Sequence, residues 1–257
     1  MTQKISFTNQ KGGVGKTSLT LHTSGALAEL GKKVLAIDMD QQGNLSSVFI
    51  DNIYQLPLTI ADLLVEDGVN IKQVIQKTAF KNIDILPANL ALSDLDSRLA
   101  GDDDAQYYLL EHLEDIEDQY DYILIDCPPS LGRATRIALV ASQYVIIPIE
   151  CQEWAVKGSA QITSYIEKVQ KRANTELALL GFVINKYDPR RSIEQSYKEV
   201  LIENFREKIF KTEFHNNVQY TEASTARQPI TAYQPKSKQA DAFREFVKEI
   251  FSYVQER

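Results

Sequence analysis

The sequence has few of the features that would tie it to an oxidising compartment or to a membrane. It contains two cysteines, Cys127 and Cys151, which make no disulfide framework and fit no metal-binding spacing. No apolar run approaches the roughly 18 residues that a membrane-spanning helix needs. The first residues, MTQKISFTNQKGG, become polar too early for a signal peptide. We therefore expect a protein of the reducing cytoplasm, with both thiols acting as small buried side chains.

The chain also lacks linkers and an overall excess of basic charge. No Gly/Ser-rich, low-complexity or repeated segment divides it, so we expect a single domain over residues 1–257. The net charge of −7 is unevenly distributed. Residues 1–150 carry 11 basic and 21 acidic side chains, whereas residues 151–257 carry 17 and 14. The basic C-terminal part permits a local polyanion-binding surface without requiring one.

Short β-rich runs alternate with helix-length segments along the chain. Several runs are apolar almost throughout, as strands covered on both faces must be. The predicted strands are KISFTN (4–9), KVLAID (33–38), NIDILPA (82–88), YDYILID (120–126), QYVIIPIE (143–150) and ELALLGFVIN (176–185). The predicted helices are 16–30, 104–118, 133–142, 154–172, 192–205 and 239–255, with a loop over 226–240. This alternation predicts an α/β fold with a doubly wound, mostly parallel sheet flanked by helices.

The first predicted strand leads into TNQKGGVGKTS (8–18), a glycine-rich loop that opens a helix. In this setting backbone N–H groups surround phosphates, and the helix N-terminus attracts negative charge. Lys16 would contact the β- and γ-phosphates, Thr17 would ligate Mg²⁺, and Ser18 would reach the α-phosphate. The other loop residues predicted to bind the nucleotide are Gly12, Gly13, Val14 and Gly15.

The loop departs from the pattern G-x-x-x-x-G-K-[ST] at two positions. Gln10 stands where the first glycine belongs, and Lys11 is a lysine that the pattern does not require. The run K-G-G-V-G-K-T resembles the deviant Walker A loop of the ParA/MinD family of P-loop ATPases. The resemblance implies a P-loop NTPase fold with ATP and Mg²⁺ as ligands. It also implies that Lys11 contacts the phosphates of a second subunit, so that ATP would join two protomers into a homodimer.

A pair of acids carries the resemblance further. KVLAIDMDQQGN (33–44) is similar to the second motif of the family, in which Asp40 would orient the attacking water and Asp38 would support it. Residues two apart on a strand point to the same face, which agrees with a joint role. The family usually has proline where this chain has Gln41, a departure near the first switch segment.

Two further strand ends match the family. YDYILIDCPPS (120–130) resembles the Walker B strand, in which Asp126 would hold Mg²⁺ through water. VINKYDPR (183–190) resembles the strand end at which Asn185 would read adenine. The resemblance runs from residue 3 to about residue 255.

The family includes partition ATPases, which implies a specific kind of job. Such proteins bind DNA without sequence preference as ATP dimers, position a plasmid, chromosome or protein assembly on the nucleoid, and hydrolyse ATP slowly until a ParB-like or other adaptor stimulates them. FHNNVQ (214–219) replaces a P-R-N-V-R stretch of the family, so two arginine positions are lost. Arg190 and Arg191 are the first candidates for DNA contacts. The full set of predicted DNA-binding residues is Lys186, Arg190, Arg191, Arg227, Lys236 and Lys238.

The sequence leaves other functions open. A MinD-like membrane-associated ATPase would need a basic amphipathic helix, but residues 241–257 carry four acids and three bases, so we expect this helix to pack in the core. A metabolic or metal-cluster relative is a further possibility. A tyrosine kinase is disfavoured, because Tyr253 alone lies near the end. Lys157 stands where the family has glutamate, which leaves a contact with a partner's phosphate open.

Overall fold

The computed structural model describes residues 1–255 and contains a seven-stranded sheet. The strands are Gln3–Phe7 (β1), Val34–Asp38 (β2), Gln76–Lys77 (β3), Ile83–Leu86 (β4), Tyr122–Asp126 (β5), Tyr144–Ile149 (β6) and Ala178–Ile184 (β7). Their order is β3-β4-β2-β5-β1-β6-β7, and β3 pairs antiparallel with β4 while the other pairs are parallel. The predicted α/β fold with a doubly wound, mostly parallel sheet is confirmed.

The helices connect the strands and cover the sheet. They are Lys16–Glu29 (α1), Asn44–Phe49 (α2), Ile60–Val65 (α3), Ile71–Val74 (α4), Leu95–Arg98 (α5), Tyr108–Glu114 (α6), Arg133–Val140 (α7), Ala155–Arg172 (α8), Ser192–Phe205 (α9), Val218–Thr225 (α10), Ile230–Tyr233 (α11) and Lys238–Gln255 (α12). The helix predicted over 104–118 is regular α-helix only in α6, with a 3₁₀ turn on each side. The prediction of a loop throughout 226–240 is wrong, because α11 forms there. Pro229 precedes its first turn, where a fixed φ favours a helix start, and Ile230 is fully buried.

Apolar cores form on both faces of the sheet. Ile123 and Ile125 of β5 pack into one core, whereas Tyr122 and Leu124 pack into the other, as the alternation of side chains along a strand requires. On the second face, α12 packs against α1. The large apolar residues that α12 buries there are Phe243, Phe246, Val247 and Ile250. Each such side chain stabilises the fold by about 1.5–3 kcal/mol.

The expected core packing of the last helix is therefore confirmed. Residues 256 and 257, which contribute to the charge balance of that segment, lie outside the described residues. Within residues 1–255, no helix combines the length and the hydropathy that a bilayer crossing requires.

Three central strands bring the predicted motifs to one edge of the sheet. In the strand register Asp126 of β5 lies between Phe7 of β1 and Asp38 of β2. The phosphate loop follows β1 directly, so the loop and both acids meet at the carboxyl ends of adjacent parallel strands. Open α/β sheets bind their ligands in the crevice outside these ends.

Candidate nucleotide-binding site

The loop between β1 and α1 has the backbone shape of an anion-binding nest. Gly13 and Gly15 adopt positive φ angles of 76° and 95°, a left-handed conformation that residues with a Cβ rarely take. A Cβ at Gly15 would also lie 2.1 Å from the side-chain nitrogen of Asn185, so this position has no room for a side chain. Since α1 begins at Lys16, the loop ends at a helix N-terminus of positive partial charge.

A cleft of about 630 Å³ opens above this loop, a size that suits a nucleotide. Asp40 lines one side, and Asn185 and residues 215–217 line another. The predicted loop residues that line the cleft are Gly12, Gly13, Gly15, Lys16, Thr17 and Ser18. Val14 differs from them, because it is only 1% exposed and its side chain packs inside the protein.

Lys16 lies largely buried at the floor of the cleft, where its ammonium is 3.4 Å from the carbonyl oxygen of Lys11. Burial lowers the pKa of Lys16, and the nearby charges of Asp126 and Asp40 oppose that shift. A partly desolvated cation gains strongly from a further anion at short range. Lys16 is therefore well placed to accept phosphate oxygens.

Asp126 is a fully buried carboxylate without a compensating hydrogen bond. Neither of its oxygens has a partner of acceptable geometry among residues 1–255. Burial raises the pKa of Asp126 well above its usual value, the charge of Asp38 adds to this rise, and the nearby Thr17 hydroxyl and Lys16 ammonium offset part of it. Orphaned carboxylate oxygens beside a threonine hydroxyl are the donors that Mg²⁺ prefers, together with water. The predicted metal residues Thr17 and Asp126 therefore fit a bound Mg²⁺.

Asp38 and Asp40 occupy different environments. Asp38 is completely buried and accepts hydrogen bonds from the backbone N–H and hydroxyl of Ser46, at 2.8 and 2.7 Å, and from the backbone N–H of Asp40, at 3.0 Å. Burial raises the pKa of Asp38 to about 6, although these donors oppose the shift. Asp40 instead lines the cleft and accepts from the backbone N–H of Gln42. Of the two predicted catalytic acids, Asp40 can reach a ligand, whereas Asp38 positions the segment that carries it.

Lys11 lies outside the nucleotide cleft. Its ammonium donates to the carboxylate of Glu150 and to the side-chain oxygen of Gln152, and its side chain is 49% exposed. It lines a separate depression beside the phosphate loop. Sequence reasoning missed Glu150, although the available signal was similar to that for Asp126, an acid at the end of a buried strand.

The segment after β7 holds the phosphate loop in place. The side-chain amide of Asn185 donates to the carbonyl oxygen of Val14 at 2.7 Å, so the group predicted to read adenine also supports the loop. Lys186 donates its ammonium to the carbonyl oxygen of Gly13 and lies 3.8 Å from Glu150. Lys186, predicted as a DNA contact, thus lines the nucleotide cleft.

The other predicted DNA contacts are not gathered into one cluster of free charges. Both oxygens of Asp188 accept from the guanidinium of Arg190, at 2.9 and 2.8 Å, and this contact lowers the pKa of Asp188 to about 2. Arg191 lies 3.2 Å from Glu194, and Arg227 pairs with Asp51.

Lys236 and Lys238 differ from these arginines. Both are exposed, and neither forms an ion pair with any residue in the described range 1–255. They lie together at the start of α12, in a shallow depression that also contains Gln219, which stands at one of the lost arginine positions. The unpaired positive charge among the six candidates is therefore at the start of α12.

Both cysteines are buried, and no group of metal-binding side chains occurs among residues 1–255 apart from the acids described above. His22 lies on α1 behind the loop, where its Nδ1 accepts the backbone N–H of Ile230 at 3.1 Å. Burial lowers the pKa of His22 to about 3. It is therefore a neutral side chain that connects α1 with the first residue of α11.

Comparisons with known proteins agree with this geometry. The model of the AAA domain family matches residues 2–179. The sporulation initiation inhibitor protein Soj of Bacillus subtilis is 36% identical over 250 residues, which cover 97% of this chain and 98% of that protein.

Two solved structures have the same fold. A cobyrinic acid a,c-diamide synthase from Mycobacterium smegmatis, crystallised with ADP and magnesium, has a TM-score of 0.87 and 29% identity and covers 99% of this chain and 96% of its own. The cell division ATPase MinD of Pyrococcus furiosus has a TM-score of 0.79 and 26% identity and covers 98% of this chain and 99% of its own. The chain therefore belongs to the AAA domain family and, within it, to the ParA/MinD group of P-loop ATPases.

Proposed function

We propose that the protein, acting as one ATPase domain over residues 1–257, is a positioning ATPase that uses ATP to form a homodimer and to bind DNA without sequence preference. The observation that carries this proposal is the placement of the two loop lysines. Lys16 lies at the floor of the nucleotide cleft, whereas Lys11 points out of it toward Glu150. Because the ammonium of Lys11 lies outside the nucleotide cleft of its own chain, it is placed to contact a phosphate that is bound to another molecule.

The residues of the cleft have separate tasks in ATP hydrolysis. The loop N–H groups and Lys16 would bind the phosphates, and Thr17 and Asp126 would hold Mg²⁺, which would neutralise charge on the phosphate oxygens. Asp40 orients the attacking water. Asp38 keeps Asp40 in place through the backbone hydrogen bond between them. Hydrolysis is slow in the isolated protein, because the output is a switch between states rather than a flux of product.

Dimer formation depends on the contact of Lys11 with the nucleotide of the second protomer. In the ATP state two protomers face each other and each Lys11 contacts the triphosphate of its partner. Loss of the terminal phosphate removes the anion that draws the two ammonium groups across the interface. The dimer then separates, so hydrolysis sets the lifetime of the assembled state.

DNA binding rests on phosphate neutralisation and is therefore strongly dependent on salt. Lys236 and Lys238 are the strongest candidates, since their charge is not neutralised by a neighbour within residues 1–255. Arg190 and Arg191 can bind DNA only if phosphate competes with Asp188 and Glu194. Two protomers double the number of contacts, so the dimer binds DNA much more strongly than the monomer.

The same cycle accounts for cargo positioning. In its ATP state the ATPase is bound to the DNA of the nucleoid. A ParB-like or other adaptor on the cargo stimulates hydrolysis and thereby releases the ATPase from DNA. The relatives support this assignment: a chromosome partitioning protein ParA of Myxococcus xanthus is 32% identical over 96% of this chain and 87% of that protein.

A DNA mobility shift with ATP and with ADP tests the proposal. Binding to a random duplex is expected with ATP and magnesium, and it should weaken steeply as salt rises. Lys236→Ala combined with Lys238→Ala should weaken binding and reduce the salt slope without changing ATP hydrolysis. The variant Lys16→Ala, which cannot bind ATP, is the control. Equal binding with either nucleotide, or none at low salt, would contradict the DNA-binding part of the proposal.

A small-molecule ligase is the second candidate, because the synthase from Mycobacterium smegmatis has the same fold at 29% identity. The higher identity of Soj, 36%, favours a positioning role. A MinD-like association with membranes is disfavoured, because α12 buries its apolar side chains against α1. An ATP-dependent small-molecule product would support the ligase, and flotation with liposomes would support the membrane role.

A further inference from the structure

The surface beside the phosphate loop carries an unusually exposed aromatic side chain. Trp154, the residue directly before α8, is 67% exposed and is the only tryptophan in the sequence. Its ring lies 5.8 Å from the ammonium of Lys157, which is itself exposed. An indole that is exposed to water does not contribute most of the stabilising free energy that its burial would provide.

Trp154 shares a depression with the lysine that points out of the nucleotide cleft. This depression has a volume of about 140 Å³, and its lining includes Lys11, Glu150, Gln152 and Trp154. Trp154 does not line the nucleotide cleft itself. Any molecule whose phosphates Lys11 reaches must therefore approach across the surface on which Trp154 lies.

The charges of this surface suit a second copy of the chain. A two-fold contact places the same patch on both sides, so the patch must be complementary to itself. The exposed Lys11 and Lys157 supply positive charge here, and the exposed Glu153 supplies negative charge. Tryptophan is also enriched among the residues that dominate the energy of interfaces, particularly near their centres.

We infer that Trp154 is an anchor of the ATP-dependent homodimer, buried against the second copy of this chain next to Lys11. This inference rests on the proposed dimer and adds a contact that ATP does not provide. Phosphate contacts alone bury little apolar surface, and stable interfaces bury about 1,200 Å² or more in total. Trp154 contributes apolar area at the point where the two clefts approach each other.

Intrinsic fluorescence tests the inference directly, since Trp154 is the only tryptophan in this sequence and is the source of its tryptophan emission. A non-hydrolysable ATP analogue with magnesium should shift this emission to shorter wavelength and reduce its quenching by acrylamide. The shift should depend on protein concentration, as dimerisation does. Lys11→Ala should bind the analogue as a monomer and show no shift, which separates dimer formation from nucleotide binding.

The variant Trp154→Ala supplies a second measurement, in which light scattering gives the dimer dissociation constant. That constant should rise by about tenfold or more, while binding of the analogue to the monomer is unchanged. Trp154→Phe should restore most of the affinity. Leu30→Ala is the matched control, because Leu30 is exposed at the opposite end of α1 and should have no effect.

The outcomes distinguish this inference from the proposed function. If the wild-type protein dimerises with the analogue, but its emission does not change and Trp154→Ala dimerises equally well, the inference is wrong and the dimer stands. If the wild-type protein remains a monomer at high concentration, the proposed dimer itself is wrong. If Trp154→Ala is unfolded, the wild-type emission and the Trp154→Phe variant decide the question.

Discussion

The ammonium of Lys11 is held by the carboxylate of Glu150 rather than by the phosphate cradle of its own loop. Glu150 is only 12% exposed, and the ammonium of Lys186 lies 3.8 Å from its other oxygen. One carboxylate thus partly neutralises two cations beside the nucleotide cleft. A phosphate oxygen that approaches either lysine would therefore have to compete with this carboxylate.

Removing the charge of Glu150 should favour the dimer. In Glu150→Gln the side chain keeps its shape but no longer holds Lys11 by charge, so Lys11 reaches a partner's phosphate at lower cost. A partly exposed ion pair contributes up to about 1 kcal/mol, and one such pair opens in each protomer. We therefore expect dimer affinity with an ATP analogue to rise by up to about thirtyfold. Sedimentation velocity measures this change. Glu114→Gln, at an exposed glutamate of α6 away from this surface, is the control. An unchanged or weaker dimer in Glu150→Gln would contradict the interpretation.

Replacing the two loop lysines should separate binding from dimerisation. Lys16→Ala should abolish ATP binding, because Lys16 is the cation at the floor of the cleft. Lys11→Ala should retain ATP binding in the monomer and lose the dimer, because Lys11 does not line that cleft. Calorimetry gives the nucleotide affinity and light scattering gives the mass. A full-strength ATP dimer of Lys11→Ala would exclude the role in the partner's site.

Replacing Asp40 should impair hydrolysis without impairing assembly. Asp40→Ala should still bind ATP and form the dimer, since the residue faces the cleft but does not belong to the phosphate loop. Loss of a group that orients and activates water typically lowers turnover about 10²-fold or more. Phosphate release under single-turnover conditions measures the effect, with the exposed Asp67→Ala as control. Unimpaired turnover would assign the task to another acid.

Replacing Asp126 should stabilise the protein without nucleotide and remove its response to magnesium. The folded-state pKa of Asp126 is raised, so its contribution to stability is favourable at low pH and is lost as pH rises through that pKa. Asp126→Asn lacks this penalty at pH 7, and we expect its melting temperature to rise by a few degrees. Thermal denaturation with and without magnesium and an ATP analogue checks both effects. A lower melting temperature without ligand, or an intact magnesium response, would contradict the assignment.

His22 should make the protein sensitive to mild acid. Its pKa is about 3 in the folded protein and near 6.5 in an unfolded chain, so its contribution to stability is present above pH 6.5 and is lost progressively as pH falls toward 3. Between pH 7 and pH 5 the loss is about 2 kcal/mol. Urea denaturation at both values should show that His22→Gln loses this much less stability than the wild type. The same dependence in both proteins would contradict the prediction, and His215→Gln is the exposed control.

The structure shows why some elements were predictable and others were not. Strand β5 and helix α8 carry their own period of apolar residues, so the sequence identified both. Strand β3 has two residues, Gln76 and Lys77, and forms because it pairs with β4 rather than because of its own composition. Helix α11 is equally short and depends on the burial of Ile230 and on Pro229 before it.

The sequence by itself determined the fold class and the place of the nucleotide site. Glycine spacing controls the backbone of the phosphate loop locally, and acids that end parallel strands must meet at one edge of the sheet. Only the tertiary structure decided where the long charged side chains lie. Lys186 enters the nucleotide cleft, Arg190 is held by Asp188, and Lys11 turns to Glu150. The physical reason is that a flexible cation takes the nearest accessible anion or carbonyl oxygen, and packing of residues distant in sequence supplies Glu150 to Lys11 and the phosphate loop to Lys186.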